Sequence, residues 1–249
     1  MEGGRVLRHS QIIVLGLCIG LATIVSSVVL SQGFLKVMKF TKEVISVTGS
    51  AQKQIRSDRA SWQVAFSRQL PDLASAYQML SGDLAKVKSY LLSKGVREAE
   101  LVVSQVFTHT LFKKTGEGYD SNEIEGYRLS QNVTVDSPDV DKVTALSREC
   151  TELIRDGVGL NSSPPQYFYT KLDDLKVEML GLATENARER AQQMASAAGN
   201  RIGAIRAAKM GVFQITPPTS TDVSDYGYND TSSLEKKVMA VVSATFAIE

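Results

Sequence analysis

Side chains able to carry chemistry are few in this sequence and widely scattered. Two His and two Cys stand among 249 residues, too few for the three or four protein ligands of a zinc centre. A Ser or Cys nucleophile needs a base beside it. His9 lies in the N-terminal tail, and His109 sits mid-strand near Phe107 and Leu111 with no motif around it, the setting of a surface or half-buried strand position. Carboxylates gather at Glu123 and Glu125, at Asp136, Asp139 and Asp141, and at Asp173 and Asp174. Each group falls at a turn or helix start, where the positive end of the helix dipole favours acids for structural reasons, ahead of acid–base or calcium work. Gly116 and Gly118 lack the strand before and helix after that a phosphate-cradling loop requires. These residues predict no catalytic site, no cofactor and no metal, with a hydrolase or ligand binder built on Asp173, Asp174 and His109 as the alternative. That alternative requires the three to converge in space.

The rest of the chain is built of two materials. No charged side chain occurs from Ser10 to Leu35, and the 19 residues Ile12 to Leu30 would span roughly 28 Å as a helix, the thickness of a bilayer core. Without residues 1–42 the chain keeps 23 basic and 26 acidic residues, a net charge of −3. A mildly acidic body has no pull toward polyanions, so nucleic acid is not an expected partner. The apolar run is long and ends in Val-Val-Leu-Ser-Gln-Gly-Phe-Leu without a small-x-small site, which favours an uncleaved anchor over a cleaved signal. Cys18 lies inside the run rather than after it, so lipidation fits poorly. Arg5 and Arg8 on one flank balance Lys36, Lys39 and Lys42 on the other, and charge alone does not orient the segment.

The body reads as alternating strands and helices. Val44–Gln52 and the period-two run Ala60, Trp62, Val64, Phe66 predict two strands. Leu73, Tyr77, Leu80, Leu84, Val87 and Leu91 make one helical stripe stopped by Gly95. Leu101–Phe112 and Tyr127–Val135 predict a long hairpin with a floppy tip at Lys113–Asn122. Ser137 and Pro138 then start a helix whose buried stripe is Val140, Val143, Leu146, Cys150 and Leu153. Cys150 on that stripe is expected to be a core thiol. After the strand Gln166–Thr170 comes the longest helix, Leu172–Ala198, closed by Gly199. Ile202–Ile215 and Val238–Ile248 complete the strands, with an aperiodic polar segment, 216–233, between them.

Three features are candidates for contact with a partner. Ala183, Ala187, Ala191 and Ala195 recur every fourth residue and let another backbone approach, most simply the chain's own sheet. Val238, Val242 and Phe246 lie on a final strand with no polar face, expected at a sheet centre or against another subunit. Tyr226 and Tyr228 stand in the polar loop, where a tyrosine offers contact area and a hydroxyl at little ordering cost.

The ordered set VISVTGSAQKQIRSDRASWQVAF, GYRLSQNVTVDSPDVDKV, ATENARERAQQMASAAGNRIG and VMAVVSATFAIE resembles the SIMPL domain, a bacterial envelope family of poorly defined biochemistry, over Val44–Glu249. The alanines at 183, 187, 191, 195 and 198, with Gly199 and Gly203, match the family's Ala-rich helix and Gly turn. Ser57-Asp58 departs from the usual Pro-Asp. The resemblance implies an α+β fold of mixed or antiparallel sheets with about three long helices packed on them, preceded by one transmembrane helix. It implies a cytoplasmic tail at 1–11, an anchor or signal at 12–35, and a periplasmic domain at 43–249 with a mobile loop at 216–233. The expected protein is a non-enzymatic homo-oligomeric scaffold or interaction protein, held in the inner membrane by one pass through residues 12–35, with a possible envelope protein partner in envelope maintenance or an oxidative stress response. Release to the periplasm after signal cleavage, and channel-like self-assembly, are the alternatives.

Overall fold

The computed structural model describes the backbone of residues 3–116 and 118–249, and the side chains of 14–35, 43–116 and 118–249. The side chains of His9 and of the flanking Arg5, Arg8, Lys36, Lys39 and Lys42 lie outside that set. In chain order the elements are α1 (Gly3–Lys42), β1 (Val44–Arg56), β2 (Arg59–Leu70), α2 (Leu73–Ser93), β3 (Leu101–Val103), β4 (Phe107–Lys114), β5 (Asp120–Ser137), α3 (Val140–Glu149), β6 (Leu160–Ser162), β7 (Gln166–Phe168), α4 (Leu172–Ala197), β8 (Ile202–Met210), β9 (Gln214–Thr216), β10 (Tyr228–Asn229) and β11 (Glu235–Ile248). Short 3₁₀ turns occupy Glu98–Glu100 and Cys150–Ile154. This is a mixed α+β chain with two sheets. Within α1, Val14–Leu35 is 22 residues long and apolar enough to cross a membrane.

The chain divides into two compact units, one of residues 1–50, 181–211 and 241–249, the other of 51–180 and 212–240. The second contains a six-stranded sheet ordered β3-β5-β2-β6, with β4 also on β5 and β7 also on β2. Its centre is the antiparallel pair β2 and β5, in which Trp62 faces Val135 and Val64 faces Val133. Alternation places Ala60, Trp62, Val64 and Phe66 on one buried face, and the Trp62 indole N–H donates to Ser162 Oγ at 3.0 Å.

Helix α2 covers this face, but along a line rotated from the expected stripe. Leu73 and Tyr77 are exposed, while Ala76, Leu80, Asp83, Val87 and Leu91 are buried. Ala76 lets the first turn sit close to its neighbours, and Asp83 can enter because Arg68 of β2 meets it. The start of α3 also differs from expectation. Asp139, not Ser137, is its N-cap, accepting from Lys142 N at 3.1 Å. Ser137 is the last residue of β5; its hydroxyl oxygen accepts from Asp139 N at 3.1 Å while its proton goes to Glu100 Oε1 at 2.8 Å. Val140, Val143 and Leu146 on α3, with Cys150 and Leu153 on the following 3₁₀ turn, form the expected buried stripe. Burial pushes the Cys150 thiol pKa up, the condition of a core thiol.

The hairpin tip is shorter than expected. β4 extends to Lys114 and β5 begins at Asp120, with ion pairs Lys114–Asp120 at 2.5 Å and Lys113–Glu123 at 2.9 Å across it. Ile202–Ile215 is two strands, β8 and β9, each antiparallel to β11. Gly199, with φ +78°, ends α4 in the left-handed conformation that glycine adopts without a Cβ penalty.

Candidate interaction surfaces

In the first unit the alanine stripe is taken up by the chain itself. Ala183, Ala187, Ala191 and Ala195 are all buried, and Ala187 and Ala191 form a core cluster with Val47, Ala244 and Phe246. The partner of the stripe is Gly49 of β1. A methyl group there would collide with the Ala183 carbonyl and the Ala187 backbone, lying 2.7 Å from Ala187 Cα. Helix and strand therefore meet backbone to backbone. The same helix turns hydrogen bonds onto β1, since Ser50 N donates to Asn186 Oδ1 at 3.1 Å and Arg190 Nη1 donates to Thr48 O at 3.0 Å. Val238, Val242 and Phe246 on β11 are buried as well. On the other face of the strand Thr245 and Ser243 hydroxyls meet Ser46 and Thr48 at 2.8 and 3.4 Å, so that face carries a hydroxyl ladder.

The 216–233 segment, aperiodic in sequence, is tethered along its length in the second unit. β10 pairs parallel with β9, Tyr228 beside Gln214 and Asn229 beside Ile215. The Gln214 side chain donates to Ser224 O at 2.6 Å and accepts from Ser224 N at 3.3 Å. Two successive lysines on β11 reach into the loop: Lys237 Nζ donates to Ser220 O at 2.5 Å, and Lys236, 2% exposed, donates to Asp230 O. Burial lowers the Lys236 pKa against the opposing pull of Asp230. Burial raises that of Asp230, but hydrogen bonds from Ser232 and Ser233 outweigh it and leave the carboxyl below its ordinary value. Asp230 Oδ2 stands 3.7 Å from Lys236 Nζ and has no hydrogen-bond partner. It borders a cavity of about 40 Å³, room for a water or two. Above this fixed base the loop summit is open: Tyr226 is 97% exposed, and Asp222, Val223, Asp225 and Tyr228 are exposed too.

The carboxylates and His109 do not assemble into a centre. Asp139 caps α3, Asp141 pairs with Arg56 at 2.6 Å, Asp136 with Arg59 at 2.6 Å, and Asp173 with Lys176 at 3.2 Å. His109 stands exposed on β4 opposite Arg128. Among the described residues no hydrogen bond or ion pair joins His109 to Asp173 or Asp174, and no three His, Cys, Asp or Glu side chains could hold a metal ion together.

Beside the Lys236–Asp230 pair, two further buried charged groups escaped sequence reasoning. Arg68 Nε and Nη2 bind Asp83 Oδ2 and Oδ1 at 2.5 and 2.7 Å, and Nη2 also donates to Gly157 O at 2.6 Å. Glu100 accepts from Arg97 Nη2 at 2.8 Å, from Arg97 N at 2.9 Å and from Ser137 Oγ at 2.8 Å. The Arg97 side chain, with these other donors and against the effect of burial, brings its pKa down to about 2. A charge on an otherwise apolar helix face was the only available signal for the first; nothing local marked the second.

A family model described as SIMPL, protein of unknown function (DUF541), matches residues 45–246. The chain belongs to the SIMPL family. A relative by sequence is the Xenopus laevis protein named interleukin-1 receptor-associated kinase 1-binding protein 1 homolog, 28% identical over 161 residues, which are 64% of this chain and 60% of the relative. The matched stretch thus spans less than two thirds of that protein. The family match begins one residue into β1 and ends two residues before the end of β11, leaving α1 outside it.

Proposed function

We propose that this SIMPL chain is a non-enzymatic, membrane-anchored interaction module that assembles with itself and binds an envelope protein. In this reading residues 12–35 are the anchor, residues 1–11 stay cytoplasmic, and residues 43–249 stand in the periplasm as part of envelope maintenance. The carrying observation is the 216–233 loop. Three polar clasps fix its base, while Tyr226 and its acidic neighbours project into solvent. A chain gains nothing in stability by holding an aromatic ring in water, and a preset loop loses less entropy when a partner orders it. The relative's name, that of a binding protein, supports the same reading.

The test is photo-crosslinking of the full chain in its native membrane with p-benzoylphenylalanine at position 226. Covalent adducts to a second copy or to another protein are expected, and absence of any adduct overturns the role of the loop. Light scattering on the detergent-solubilised full chain tests self-assembly separately: a mass above one chain is expected, and a monomer overturns that part.

A further inference from the structure

Strand β8 has one strand neighbour and one bare edge. It pairs with residues 242–248 of β11, and among the described strands nothing pairs with its other side. A nine-residue strand leaves about four N–H and four C=O groups on such an edge. The first unit treats β1 differently, where Asn186 and Arg190 of α4 take the Ser50 N–H and the Thr48 carbonyl. One strand is tied off by helix side chains and the other is left open.

The side chains along β8 restrict what could add there. Register places Ile205 opposite Phe246, Ala208 opposite Ala244 and Met210 opposite Val242. Those β11 residues are buried, yet Ile205 is 48% and Met210 56% exposed. The apolar face of the sheet therefore runs out past its cover. Lys209 lies opposite Ser243, on the hydroxyl-lined face. β8 carries Arg206 and Lys209 and no acidic residue. Lysines on an edge keep like edges apart, and Lys209, exposed on this strand, favours an acidic segment there.

Building on the interaction-module reading, we infer that the open edge of β8 docks an extended peptide segment of alternating apolar and acidic residues, supplied by a partner protein. Main-chain hydrogen bonds would hold the segment, its apolar side chains would cover Ile205 and Met210, and its carboxylates would meet Lys209.

The probe is a fluorescein-labelled octapeptide of alternating Val and Glu, titrated onto the full chain in detergent micelles with anisotropy and amide hydrogen exchange as readouts. Expected are slowed exchange at 202–210 and affinity about tenfold above that of the Val/Lys analogue. N-methylation of alternate peptide nitrogens should cost about tenfold by removing main-chain donors. Lys209→Glu should reverse the preference between the two peptides, and Met210→Ser should weaken both. Binding that ignores N-methylation or Lys209→Glu overturns the inference, as does no binding at all. Protection at 217–233 in place of 202–210 overturns the β8 assignment and leaves the interaction-module reading in place. Protection at β8 together with a silent position 226 does the reverse to the loop.

Discussion

The two compact units hold themselves together by opposite means. The first packs small residues so that backbone meets backbone, Gly49 on the Ala183 and Ala187 turn of α4, with a core of Val47, Ala187, Ala191, Ala244 and Phe246. The second packs large side chains, Trp62, Phe66, Leu80 and Leu91 among them, and buries charges beside them. Close backbone contact leaves no room to relax, so a substitution in the first unit acts through overlap. In the second, substitutions act through cavities and through charges that lose their partner.

The sharpest break of that contrast is Gly49→Val. Two branches in the space occupied by α4 should cost about 5 kcal/mol, at the extreme of overpacking, with amides of 44–50 and 183–197 exchanging rapidly. If the unit tolerates valine, close packing is not what holds it.

Asp83→Ala in the second unit should cost about 3 to 4 kcal/mol, because Arg68 is left largely buried without its carboxylate, read by urea unfolding through the fluorescence of Trp62. Lys236→Met should cost less, about 2 kcal/mol, since Asp230 keeps its Ser232 bonds and its second oxygen is already unpartnered. Equal costs at the two sites would mean that hydrogen-bond satisfaction does not separate them.

Glu100 supplies the pH dependence. Folding lowers its pKa from an ordinary 4.5 to about 2, so the unfolded chain binds more protons in that interval. The stabilisation is complete above about pH 4.5 and is lost as pH falls toward 2, on the order of 2 kcal/mol once screening at the exposed Arg97 is counted. Urea unfolding of wild type and Glu100→Gln across this range should show the variant losing less stability.

Periodicity made most of the elements legible. The alternation of β2, the stripe of α3 and its 3₁₀ turn, and the glycine stop of α4 all lie where spacing puts them. The departures share a cause: a local pattern does not know what faces it. Leu73 and Tyr77 continue a helical stripe, but the covered line on α2 passes through Ala76 and Asp83 because Arg68 waits on β2. Ser137 before Pro138 reads as a cap, yet its oxygen reaches only Asp139 N, its proton goes to Glu100, 37 residues earlier in the chain, and Asp139 caps the helix. The loop at 216–233 has no period because its order comes from Gln214, Lys236 and Lys237 rather than from itself.

Of the contact candidates, the residue types marked all three, and only the fold sorted them. The alanines and the β11 valines are inside, while the tyrosines are outside. Composition and hydropathy by themselves determined that a membrane-length apolar segment precedes an α+β body with few catalytic side chains, since both follow from transfer free energies and local spacing. Which small residues close against Gly49, which carboxylates find a buried cation, and which strand edge is left without a neighbour were decided by tertiary structure. Each of these depends on distance between residues far apart in the chain, which no local pattern records.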